Sequence, residues 1–275
     1  MIIDAHQHFW DPATADYPWL TDDLAPIRRR FGPEDLVPLL LRRGIDGSIV
    51  VQARSSLDET HELLATASEV SWLVGVVGWV DLTDPEIDDV LAQLRGGRLV
   101  GVRHQVHDEL DPAWLLRPEV ERGIGALERA GLVYDLLVRT RELPAALELA
   151  RRHPGVRFVV DHLAKPPVRG GDTRGWADGL AALAALPNVS CKLSGLVTEA
   201  PWNGWTVDDL LPYFRRALDW FGPERSLFGS DWPLCLLAAD YDEVVDLLLA
   251  ALDVSERAAV MGGTAARVYR LDEHT

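Results

Sequence analysis

Two histidines, His6 and His8, stand two positions apart directly behind the short apolar run from Met1 to Ile3. On a β-strand, residues i and i+2 point to the same face, so a strand ending here presents both imidazoles side by side. Such a pair can bind one metal ion or grip one substrate oxygen. The bland alternative is two surface histidines at a frayed end, and the apolar run ahead of them, which calls for burial, argues against it. A third histidine, His162, closes the apolar run 156–160 after Asp161. A carboxylate, Asp231, ends Phe228-Gly229-Ser230 just before Trp232-Pro233. Asp231 is either the cap of a proline turn or a general base or metal ligand facing the histidines. For His162 the alternative is a core histidine bonded to backbone. Together His6, His8, His162 and Asp231 form a three-imidazole, one-carboxylate set suited to a single Zn²⁺.

Other residues could hold a substrate. Arg103 and His104 are neighbours, so on an ideal strand only one faces inward. His107 falls in the loop beyond and receives no role. Lys165 and Lys192 are possible donors to substrate oxygens, or structural lysines in salt bridges. Among ten tryptophans, Trp10, Trp79, Trp202, Trp205 and Trp232 fall near strand ends, where they could wall a sugar-like ring or simply pack. Neither Ser194 nor Ser230 sits in a G-x-S-x-G elbow, and no cysteine stands beside a histidine, so covalent catalysis is disfavoured.

These side chains need a scaffold that brings distant strand ends together. Apolar strand-like runs at 2–6, 48–52, 72–79, 99–104, 132–138, 156–162, 188–194 and 226–231 alternate with helical sequence at 34–43, 58–70, 84–97, 111–130, 141–153, 173–186 and 206–221. Two closing helices are expected at 241–252 and 255–269. Eight βα units in series predict a (β/α)₈ TIM barrel, with functional residues at the C-terminal strand ends. An open doubly wound sheet would carry a Gly-rich phosphate loop where His6-Gln7-His8 stands. No composition break marks a linker, so residues 1–275 read as one domain. The loops after strands one, six and seven are long and are expected to form the rim of the site.

The net charge is −16, from 27 Lys+Arg against 43 Asp+Glu, which argues against nucleic acid or an anionic membrane as partner. Two cysteines, Cys191 and Cys235, make no disulfide framework. No apolar run reaches the length of a membrane span, and strand sequence begins at Met1 with no signal peptide ahead of it. The expectation is a cytoplasmic protein. No motif specifies an oligomeric state.

Asp4-Ala5-His6-Gln7-His8-Phe9-Trp10-Asp11-Pro12 resembles the opening of the amidohydrolase superfamily, and within it the sugar-lactone hydrolases. The resemblance continues through Gly101-Val102-Arg103-His104, Asp161-His162-Leu163-Ala164-Lys165-Pro166, Cys191-Lys192-Leu193-Ser194-Gly195 and Gly229-Ser230-Asp231-Trp232-Pro233, and reaches a closing segment at 262–269. It implies a (β/α)₈ barrel that hydrolyses a cyclic ester, with a small sugar lactone as partner. His6, His8 and His162 would hold the ester carbonyl or a divalent metal, and Asp231 would activate water. Where many relatives carry bridging groups for two metals, this chain has Asp135 and Lys192. One metal or none is therefore implied, with turnover that does not depend on it. The rivals are a metal-dependent decarboxylase of the same superfamily and a non-catalytic barrel that binds sugar acids.

Overall fold

The computed structural model of the chain describes residues 1–171 and 173–271. The strands β1 (Ile3–Gln7), β2 (Gly47–Val51), β3 (Leu73–Gly78), β4 (Leu99–His104), β5 (Val133–Leu136), β6 (Phe158–Val160), β7 (Val189–Leu193) and β8 (Ser226–Phe228) lie in chain order in one sheet. Each pairs in parallel with the next. Two backbone hydrogen bonds close the seam between the ends of β8 and β1: Asp231 N donates to His6 O (2.8 Å) and His8 N to Trp232 O (2.7 Å). The fold is a (β/α)₈ barrel.

The intervening helices are α1 (Pro33–Arg43), α2 (Leu57–Glu69), α3 (Ile87–Gln93), α4 (Pro118–Ala130), α5 (Leu143–Arg152), α6 (Thr173–Ala184), the single turn α7 (Leu196–Glu199), and α8 (Val207–Phe221). After β8 come α9 (Tyr241–Ala251), α10 (Val254–Ala258) and α11 (Thr264–Val268). Their ends follow local chemistry. Pro33 opens α1 and Gly44, at φ 63°, closes it. At α9, Glu243 N donates to Asp240 Oδ1 (2.8 Å) and Asp240 N to Glu243 Oε2 (2.7 Å). No helix among the described residues is long and apolar enough to cross a membrane.

The structure corrects three expected spans. β6 stops at Val160, short of His162, because His162, Leu163, Ala164 and Lys165 all take left-handed backbone (φ 50–56°). Four such non-glycine residues cost about 1–2 kcal/mol each and persist only where packing over-determines them. Here Leu163 and Ala164 are fully buried, and Trp176 Nε1 donates to Leu163 O (2.6 Å). β8 likewise stops at Phe228, and Asp231 sits at φ 58°. The closing helix expected over 255–269 breaks between α10 and α11, where a Cβ on Gly262 would lie 2.2 Å from Met1 O. The break lets the C-terminal segment approach β1.

Inside the barrel, inward residues alternate along the strands: Val133 and Asp135, Val159 and Asp161, Ser190 and Lys192. The apolar members join Ile3, Ala5, Val77 and Leu227 in an inner cluster, stoppered by Tyr269 and Leu271. The charged members, Asp135, Asp161 and Lys192, lie further along, towards the C-terminal ends of the strands.

Candidate active site

Each histidine is oriented by its other ring nitrogen. His8 Nδ1 lies 2.7 Å from Val51 O, and a carbonyl only accepts, so Nδ1 carries the proton and Nε2 presents a lone pair. That Nε2 is 3.2 Å from His6 Nε2 and 3.5 Å from Asp231 Oδ1. His162 Nδ1 is 2.9 Å from Ser194 Oγ, with its Nε2 3.8 Å from the same Asp231 oxygen. His6 Nδ1 lies between Lys192 Nζ (3.1 Å) and Asp161 Oδ1 (3.3 Å). Gly195 makes room for this group: a Cβ there would lie 2.4 Å from His162 Nδ1 and 3.0 Å from Asp231 Oδ2. The structure thus brings His6, His8, His162 and Asp231 to one point at one mouth of the barrel.

Burial pushes all three imidazoles below their ordinary range, His6 and His162 well below, so all are neutral at neutral pH. Burial pushes the Asp231 carboxyl up, yet the group stays below the usual carboxylate range overall, with the Lys165 ammonium among the charges that favour its ionised form. Asp231 is therefore ionised. Both of its oxygens are buried without a hydrogen-bond partner among the described residues. A bare buried carboxylate is costly until a cation or a proton donor meets it. His6, His8 and Asp231 thus fit one divalent ion by donor type and spacing. His6, Asp161 and His162 form a second such group, but Asp161 already has Lys192 Nζ at 3.0 Å and Arg103 Nη1 at 3.0 Å.

Lys192 does not reach the cavity. It lies fully buried beneath His6, against Asp135 (2.5 Å) and Asp161, and Tyr269 OH donates to Asp135 (2.9 Å). Arg103 is the inward member of its pair. Its guanidinium bonds Asp161 and Gln52 Oε1 (3.0 Å each) and lies 3.2 Å from His6 Nε2. His104 turns outward, stacks on Trp114 at 4.2 Å and accepts from Trp79 Nε1 (3.0 Å).

Above the histidines opens a cavity of about 140 Å³. Arg103, Gln105, His107, Asp108 and Lys165 give it polar walls; Trp10, Trp19, Leu137 and Leu234 give it apolar ones. Lys165 is fixed by Glu199 (3.0 Å). Trp79 and Trp232 are not among the lining residues. Trp79 is tied to His104, and Trp232 packs edge-on to Phe9 and Phe31. His107, given no role from sequence, lines the cavity with Gln105 and Asp108, and its ring is pushed down to about 3, by burial first. Asp161 was readable, being the inward neighbour-but-one of Val159. Trp19 and the Gln105–Asp108 turn sit on loops with no periodicity to place them.

The model of the family described as Amidohydrolase matches residues 3–271. The chain belongs to the amidohydrolase family. This amidohydrolase is 44% identical to an L-fucono-1,5-lactonase of Burkholderia multivorans, over 98% of this chain and 96% of that one. It is 42% identical to an L-fucono-1,5-lactonase of Burkholderia ambifaria over the same shares. A crystal structure of a Burkholderia multivorans amidohydrolase with bound zinc superposes with TM-score 0.94 at 43% identity, covering 98% of this chain and 99% of that one.

One buried acid of this amidohydrolase braces the site from behind. Glu59 Oε2 accepts from Ala53 N and Arg54 N (3.0 Å each), tying α2 to the end of β2. Burial pushes its carboxyl up to about 7, against those hydrogen bonds. A folded-state pKa above the unfolded value contributes stability that is full below about 4.5 and is lost as pH rises through about 7, here about 3 kcal/mol. Glu59→Gln should flatten that loss of stability between acid and neutral pH in urea melts. An unchanged slope would clear Glu59 of the effect.

Proposed function

We propose that this amidohydrolase opens the ring of a sugar-acid lactone with water, and that L-fucono-1,5-lactone or a close relative is its substrate. The observation that carries the reading is Asp231: an ionised, fully buried carboxylate with both oxygens free of hydrogen bonds, facing three neutral imidazoles at the floor of the cavity. The likeness to the two L-fucono-1,5-lactonases supports the substrate class.

Asp231 takes a proton from water as the water oxygen adds to the ester carbon. With Ser194 donating to Nδ1 of His162, the Nε2–H of that ring is directed at the developing oxyanion, and the Arg103 guanidinium adds fixed positive charge. The bond from carbon to ring oxygen then breaks, and Asp231 returns its proton to that oxygen. Lys165, Gln105 and His107 are placed to meet hydroxyls, and Trp10 lies along an apolar edge. His6, His8 and Asp231 would hold a zinc ion, which when bound would polarise the ester carbonyl.

The deciding experiment is a panel of aldonolactones assayed with a pH indicator, since each ring opening releases a proton at neutral pH. Turnover of a six-carbon sugar lactone is expected; hydrolysis of none of them would overturn the proposal. Removal of metal is a separate measurement. Elemental analysis should find no more than one ion per chain, and chelated protein should keep part of its activity, because Asp231 acts as base without the ion and a lactone is a reactive ester. Complete loss on chelation, restored by added zinc, would show that these side chains alone are not enough.

A further inference from the structure

A second chamber opens directly outside the catalytic cavity, and the two share Trp19, Gln105 and Asp108 as a common wall. By the same measure the outer chamber holds about 500 Å³ against about 140 Å³ inside. A mere entrance needs no fixed surface, yet this one has an indole clamped from three sides. Trp19 Nε1 donates to Ala53 O (2.7 Å), and Trp10 and Tyr17 meet the ring edge-on at 5.2 and 6.3 Å. Around it stand polar groups that face solvent. The Asp16 carboxylate and Gln105 Nε2 have no hydrogen-bond partner among the described residues, while Ser55 Oγ reaches Gln105 Oε1 at 3.4 Å.

A rigid aromatic face flanked by a free donor and a free acceptor is what a pyranose ring requires, with apolar C–H groups on one side and hydroxyls at the edge. The charges narrow the ligand further. Among the residues that line the chamber, Asp16, Asp108 and Glu109 outnumber the one arginine, Arg54, which is already 3.3 Å from Glu62. A phosphorylated or carboxylated extension would be repelled, and an uncharged one would not.

We infer that the outer chamber is a subsite for a second, neutral sugar ring, so that the enzyme accepts lactones carrying a glycosyl substituent. The inference rests on the lactone reading above. With the inner ring in the catalytic cavity, Trp19 would contact both rings.

The test takes the aldonolactone turned over best in the panel and its mono-hexosylated derivatives, one for each free hydroxyl. At least one derivative should reach kcat/KM within about tenfold of the parent. Leu110 is exposed, lines the outer chamber and lies outside the inner cavity. Leu110→Trp, which sets an indole in the chamber, should then lower kcat/KM for that derivative about tenfold or more and leave the parent lactone unchanged. If no derivative reaches a tenth of the parent value, or Leu110→Trp slows both substrates alike, the subsite is overturned. Failure on the parent lactone itself would instead strike the lactone reading and take this inference with it.

Discussion

Asp231→Asn should give a folded protein whose kcat for lactone opening is lower by about 10²-fold or more. The substitution keeps the shape of the side chain, and neither carboxylate oxygen has a protein hydrogen bond to lose. What disappears is the capacity to take a proton. No other group at the floor can replace it: burial holds His6, His8 and His162 below their ordinary range, so each is a weaker base than a free imidazole. Asp161, the next carboxylate, is committed to Arg103 and Lys192. The measurement is a steady-state rate on lactone beside a thermal melt. A normal melt with near-normal kcat would remove Asp231 from the chemistry. The same variant should bind a divalent ion more weakly, which equilibrium dialysis reads without reference to turnover.

How much of this site could be read from residues alone depended on regular geometry. The barrel was legible because βα alternation repeats eight times, and because parallel strands buried on both faces appear as continuous apolar runs. Convergence of His6, His8, His162 and Asp231 was legible too, since a barrel gathers strand ends at one mouth. The local path to that point was not. His162 and Asp231 both stand beyond their strands, on left-handed backbone that strand alternation does not describe. Without that turn, the same residues placed on ideal strands would point by parity alone.

The aromatic wall shows the limit from the other side. Five tryptophans near strand ends were candidates from sequence, and of these Trp10 lines the cavity while Trp79 and Trp232 pack away from it. Trp19, which lines both chambers, lies in the long loop after β1, where neither period 2 nor period 3.6 assigns a face. Part of the cavity wall therefore lies in segments that composition can flag only as loops. Lys192 is the opposite case. Its place on β7 was readable, and of the two roles left open there, substrate donor or salt-bridged structural lysine, the second is found, because Asp135 and Asp161 lie against it inside the barrel.

Lys192→Met should destabilise the fold by about 3–5 kcal/mol, a large share of the 5–15 kcal/mol that holds a typical domain. The ammonium is fully buried and sits against two fully buried carboxylates, Asp135 and Asp161, and against His6. Methionine fills nearly the same volume but leaves both carboxylates without their shared cation. Asp161 keeps Arg103, whereas Asp135 keeps only the Tyr269 hydroxyl. Burial already pushes Asp135 up to about 6 with the lysine present, so removing the lysine raises it further and the site must either bury a bare charge or take up a proton. For a chain of this length the melting temperature should fall on the order of 10 °C. Adding Asp135→Asn to Lys192→Met removes the stranded charge while an amide oxygen still accepts from Tyr269. The double variant should therefore recover about 1–3 kcal/mol relative to Lys192→Met alone, a coupling that a double-mutant cycle reads directly. A melt unchanged by Lys192→Met, or a double variant less stable than the single one, would show that the lysine is not the counter-charge that holds the floor of the site.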